Sequence, residues 1–260
     1  ACMLGAPRGE IEDGLHGYNG ILVGCALPVF LESGPVCWVM VVAGAFFSTV
    51  IMMAVSQVFR SWKVSAMTGP FVFTTWFMLL ASYSFSGIRA VALPHPVLPA
   101  PQPDMLLFSG LDMFFHASLT GVSQVFLIDD AITGGFFLAG LAAGSLPAAV
   151  YGWTGSLVAM ITALLLGANG ADVHAGLYQF SAVLTAVGIG TTFYHPGWRA
   201  ALYTLLATIF TVVAQGALNA SLAPLGIPTL TFPFVIATWL FLLPHVGLEP
   251  ESRDGSKTSV

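Results

Sequence analysis

Long stretches of this chain carry no charged side chain at all. Such windows run from Ser33 to Phe59, Val64 to Ile88, Ala131 to Ala171, Val173 to Trp198 and Ala200 to Leu248. A membrane-crossing helix needs about 20 apolar residues, so several windows hold two spans each. The pattern predicts spans at Gly14 to Leu31, Val36 to Val58 and from the Thr68 segment to about Ile88. After a break it predicts spans at Ile132 to Val150, Trp153 to Gly167, Gly176 to Tyr194, Trp198 to Asn219 and Ile227 to His245. Met105 to Ile128 differs: Asp112, His116, Ser118, Thr120, Ser123 and Gln124 interrupt it, and Asp129-Asp130 follows. It reads as an entry helix and a re-entrant half-helix.

Between these halves lie Pro94, Pro96, Pro99, Pro101 and Pro103, a density that forbids a helix of any length. The expected organisation is a first repeat over 1–89, a Pro-rich linker over 90–104, a second repeat over 105–248 and a disordered polar tail over 249–260.

One segment occurs twice. Thr68-Gly69-Pro70-Phe71 with Thr75-Trp76 and Thr231-Phe232-Pro233-Phe234 with Thr238-Trp239 both read T-x-P-F-x-x-x-T-W. Proline inside an apolar run removes a backbone donor. Interrupted helices in corresponding halves point to a transport site at the repeat interface; a pair of proline-kinked spans is the plainer alternative. A shift of 163 residues relates these two copies, and a shift of 162 lays Gly14-Leu15 on Gly176-Leu177, Tyr18 on Phe180 and Leu22 on Leu184. Two inverted-topology repeats about an axis in the membrane plane are the natural architecture. On the same register, residues 104–163 have no counterpart before Ala1, so the first repeat is expected to lack its N-terminal part.

Composition agrees with the pattern. Hydrophobic residues make up 57% and charged residues 7%, against roughly 25% charged in soluble proteins, and mean hydropathy is +0.87. The fold class is an all-α polytopic membrane protein whose first partner is the lipid bilayer. A net charge of −5, spread over loops and tail, argues for no nucleic-acid partner. Cys2, Cys25 and Cys37 have no metal-ligand spacing, and the six histidines form neither His-x3-His nor His-x2-Glu. The chain is read as no enzyme, with no cofactor and no metal.

His16-Gly17-Tyr18-Asn19-Gly20-Ile21, Gly121-Val122-Ser123-Gln124-Val125-Phe126-Leu127 and Ile227-Pro228-Thr229-Leu230-Thr231-Phe232-Pro233-Phe234 resemble the urea transporter family, whose signature is L-P-x-x-T-x-P-F, present twice. The resemblance covers almost the whole chain. It implies a multi-pass protein of the cell membrane, a homotrimer in which each protomer is a channel passing urea down its gradient. This chain departs from the pattern at Ile227, at Val64-Ser65 in the first copy, and at Asp129-Asp130-Ala131 where Asn-Asn-Pro is common.

Urea chemistry gives those residue types roles. Urea is planar and uncharged, and stripping its water without replacement costs about 2–7 kcal/mol by amide transfer. A flat slot with oxygen acceptors along its edge answers that need. Thr68 and Thr231 are expected at the repeat axis, one hydroxyl from each half; the alternative is that each bonds the carbonyl one turn back in its own helix. Gln124 is expected to offer its amide oxygen to substrate and its NH2 to the protein. The resemblance makes Phe180 and Tyr18 slot walls, with Leu22 and Leu184 one turn on, and Leu127 an aliphatic wall. Asn19 and Gln179 read as inter-helix hydrogen bonding. A second reading of different class is a non-conducting membrane scaffold or incomplete copy of a urea channel.

Overall fold

The computed structural model describes residues 1–100, 110–195 and 197–244. The expected tail over 249–260, the end of the last span at His245, the end of the linker and the start of the entry segment fall outside them. Among the described residues every regular element is a helix, with one isolated bridge between Leu31 and Ala90. In chain order the helices are α1 (Arg8–Glu12), α2 (Tyr18–Phe30), α3 (Pro35–Phe59), α4 (Gly69–Ala81), α5 (Leu111–Ser123), α6 (Ala131–Gly144), α7 (Leu146–Leu165), α8 (Gly170–His174), α9 (Phe180–Val187), α10 (Trp198–Leu222) and α11 (Phe232–Leu242).

The repeat is visible element by element. At a shift of 163, α3 lies on α10 residue for residue, and the 3-10 turn Arg60–Trp62 lies on Ala223–Leu225. At a shift of 162, α1 lies on α8. The backbone agrees where it is least free: Gly5 and Gly167 have φ of 73° and 76°, and Gly14 and Gly176 both have 75°.

Two features differ from the pattern-based expectation. Three helical stretches, Pro35–Trp62, Leu146–Leu165 and Trp198–Leu225, are long and apolar enough to cross a membrane, and α5 and α6 form a pair bent by 73°. The expected spans containing α2, α4, α9 and α11 hold short helices instead. Thirteen residues rise about 20 Å, short of a hydrocarbon core near 30 Å. The prolines are the reason in two cases. Pro70 and Pro233 do not kink a long helix; each sits in the first turn of a short one, where the missing N–H would have had no partner anyway.

The break expected near Val150 to Trp153 lies instead at Ser145. Its extended backbone (φ −157°) and its hydroxyl, which accepts from Ala148 N, stop one helix and cap the next, with Pro147 in the new first turn. Asp130 does the same for α6. Residues 90–100 are not helical, and Val91 N donates to Phe30 O and Val97 N to Ala223 O.

Small residues set how closely the helices approach. A Cβ at Gly134 would lie 2.0 Å from the Leu119 carbonyl oxygen, so α5 and α6 touch backbone to backbone. Gly134→Ala is therefore expected to abolish the monodisperse folded species in size-exclusion chromatography. Wild-type elution and thermal midpoint would show that the two helices can part without cost.

Candidate functional site

The two T-x-P-F segments meet. Thr68 Oγ1 lies 2.7 Å from Thr231 Oγ1. On either side, Trp76 Nε1 donates to Pro228 O at 2.8 Å and Trp239 Nε1 to Ser65 O at 2.9 Å. Because Ser65 and Pro228 are repeat mates, as are the two tryptophans, these bonds are reciprocal and define a local twofold axis through the threonine pair. Neither threonine bonds back along its own helix. Met67 and Leu230, the residues before them, hold the left-handed conformation at φ 50° and 52°. That turn costs on the order of 1–2 kcal/mol for a residue with a side chain, and it brings the N-termini of α4 and α11 to one point. Two hydroxyls that share one hydrogen bond retain a donor proton and several lone pairs for a third molecule.

A cavity of about 250 Å³ opens on the second-half side of this pair. Of the residues singled out in the sequence, Thr231, Gln124, Leu127 and Phe180 line it. Gln124 Nε2 donates to Ala175 O at 2.9 Å, which ties the NH2 to the protein and leaves the amide oxygen as its free end. Its helix, α5, is held in place by further close approaches. A Cβ at Gly121 would lie 2.4 Å from Gln179 Cβ, and one at Gly176 2.7 Å from Gly121 N. Ser156 Oγ donates to Ser118 O at 2.7 Å. The helix then tightens into the 3-10 turn Gln124–Phe126 and stops at Leu127, whose φ of 59° turns the chain away.

The remaining candidates, Thr68, Tyr18, Leu22 and Leu184, lie off the cavity wall. Tyr18 hydroxyl donates to Met67 O. Leu22 is buried against Phe71 and Leu27, and Leu184, a turn deeper along α9 than Phe180, packs beside Ile189 and Phe234. Asn19 bridges Met67 O (3.2 Å) and Phe71 N (3.1 Å), and Gln179 Nε2 donates to Val173 O at 2.7 Å, the inter-helix bonding expected of both. Asp130 is not on the cavity. The Thr133 hydroxyl and backbone N–H, each 2.6 Å from its carboxylate, hold its carboxyl below the usual range.

Other lining residues were not among the sequence candidates. Gln215 Nε2 donates to Thr229 Oγ1 at 2.6 Å and to Asn219 Oδ1 at 2.9 Å, and all three face the cavity. Gln215 and Asn219, one turn apart and the two amides of α10, were the available signal: polar side chains within a span are functional candidates by default. Asp172, on the short α8, also lines the cavity, and burial pushes its carboxyl up.

The family model described as "UT: Urea transporter" matches residues 1–246. The chain belongs to the urea transporter family. Among its relatives, "Urea transporter 1" of Ovis aries is 29% identical over 246 residues, and that of Mus musculus 30%, in each case over 94% of this chain. The chain spans 64% of the length of these relatives. As a member of a transporter family with apolar helices of spanning length, it is a membrane protein.

The threonine pair makes a quantitative prediction for this urea transporter family member. In a Thr68→Val, Thr231→Val cycle followed by unfolding in detergent, the two substitutions should be coupled by about 1 kcal/mol, because either one alone removes the shared bond. Strictly additive effects would mean the hydroxyls do not bond.

Proposed function

We propose that the chain carries a path for passive urea permeation across a membrane, with the Thr68–Thr231 pair as its narrow point. The observation that carries this reading is that pair, one hydroxyl from each repeat, with Thr231 lining a cavity that Phe180, Leu127 and Gln124 also line. A ring and a leucine can hold a planar solute by its faces. Oxygens along its edge replace lost water one hydrogen bond at a time, weakly enough for release. Tyr18, Leu22 and Leu184 then act from behind, fixing the turns that present the threonines.

In this reading residues 1–89 and 105–248 are the two repeats, the cell membrane is the site of action and a homotrimer is the working assembly. Exposed Trp38, Val39, Val42 and Phe46 on α3 face lipid or a neighbouring subunit.

One observation favours the second reading, a non-conducting scaffold. Tyr18 and Asn19 both donate to the Met67 carbonyl, the repeat mate of Leu230, and so close the first-half side of the pair. Stopped-flow light scattering on proteoliposomes separates the two. Urea flux well above that of protein-free liposomes, slowed about tenfold by Thr231→Val through loss of one hydrogen bond at the barrier, is expected. Flux equal to protein-free liposomes would overturn the channel reading in favour of the scaffold.

A further inference from the structure

The two halves solve the same polar problem differently. In the first, the carboxamide of Asn19 accepts from Phe71 N, donates to Met67 O, and touches Met52 Sδ at 3.7 Å. Its repeat mate in the second half is Ser181, too short to bridge the equivalent groups. Those groups are Leu230 O, Phe234 N and, in place of Met52, Gln215. Ser181 Oγ and Gln215 Oε1 are both buried and find no partner among the described residues, with their residues 0% and 2% exposed. Neither the Leu230 carbonyl nor the Phe234 N–H, in the first turn of α11, takes part in a hydrogen bond among those residues.

A contact one turn away sets the register of Ser181 against Gln215, and the repeat relation places Leu230 O and Phe234 N beside Ser181. Thr185 Oγ1 on α9 lies 2.9 Å from Thr211 Oγ1 on α10. The two helices are joined by a short turn and run antiparallel, so Ser181, one turn back on α9, faces Gln215, one turn on along α10. This is the relation that Asn19 has to Met52 in the first half.

We propose that Ser181, Gln215, Leu230 O and Phe234 N form a binding site for one water molecule, which does in the second repeat what the Asn19 carboxamide does in the first. The donors and acceptors balance. The water accepts from Phe234 N–H and the Ser181 hydroxyl, and donates to Leu230 O and Gln215 Oε1. That is the upper end of the two to four hydrogen bonds a buried water makes. The volume balances too, since exchanging a carboxamide for a hydroxyl frees space comparable to the ~30 Å³ share of one water. Gln215 serves this role better than methionine because an amide oxygen is a far stronger acceptor than a thioether sulfur. Gln215 and Leu230 also line the cavity. The water therefore fixes the left-handed turn at Leu230 that presents Thr231, whatever solute passes.

The test is Ser181→Asn beside Ser181→Val, with the wild-type structure determined at a resolution that shows ordered water. A peak within hydrogen-bond distance of all four groups is expected, replaced by the new carboxamide in Ser181→Asn. That variant should keep or raise the thermal midpoint in detergent, and Ser181→Val should lower it by about 2–4 °C. A direct Ser181–Gln215 hydrogen bond with no water peak would overturn the proposal. So would a Ser181→Asn protein as unstable as Ser181→Val, or one that fails to fold, because either means there is no room for the group the water replaces.

Discussion

In an apolar surrounding every backbone N–H and C=O must find a partner inside the protein, and the two broken segments at the centre of this chain meet that demand through each other. Ser65 O and Pro228 O lie where the chain has left helix, and each is taken by the tryptophan of the opposite repeat. Thr68 and Thr231 complete the crossing. Neither half could end its helices there alone. Polar oxygen can stand at the middle of the protein because each repeat supplies the donors that the other lacks.

The departures from symmetry shape the cavity. Tyr18 places a hydroxyl on the Met67 carbonyl, whereas its mate Phe180, which lines the cavity, has none to give to the Leu230 carbonyl. Asn19 against Ser181 and Met52 against Gln215 carry the same difference one shell further out. Gly69 faces Trp239 where its mate Phe232 packs edge-on against Trp76 at 4.9 Å. Four side-chain exchanges at repeat-related positions thus distinguish the first-half side of the threonine pair from the second, where a cavity of about 250 Å³ lies.

Much of this was legible in the sequence because repetition is a global signal. The T-x-P-F copies, the glycines at Gly14 and Gly176 and the registers of 162 and 163 fixed the pairing of elements before any coordinate. The alternation of charge-free windows could not reveal that α2, α4, α9 and α11 are short, since a half-length apolar helix and a full span have the same composition. Gly144-Ser145-Leu146-Pro147 did carry a stop-and-start signal, but it lies inside a charge-free window where hydropathy alone saw continuity. Gln124 was found because its polar neighbourhood stands out. Gln215 was not, because an amide in a long helix that also carries threonines declares its partners only when Thr229 and Asn219 are seen beside it.

The central claim is that the two repeats touch at Thr68 and Thr231, and cysteine cross-linking tests it most directly. With Cys2, Cys25 and Cys37 changed to serine, Thr68→Cys and Thr231→Cys should form an intramolecular disulfide under mild oxidation. The bond should be reversed by reductant and absent from either single cysteine protein. Two thiols that stay free under oxidation while both react with a small membrane-permeant reagent would place the segments apart and contradict the account.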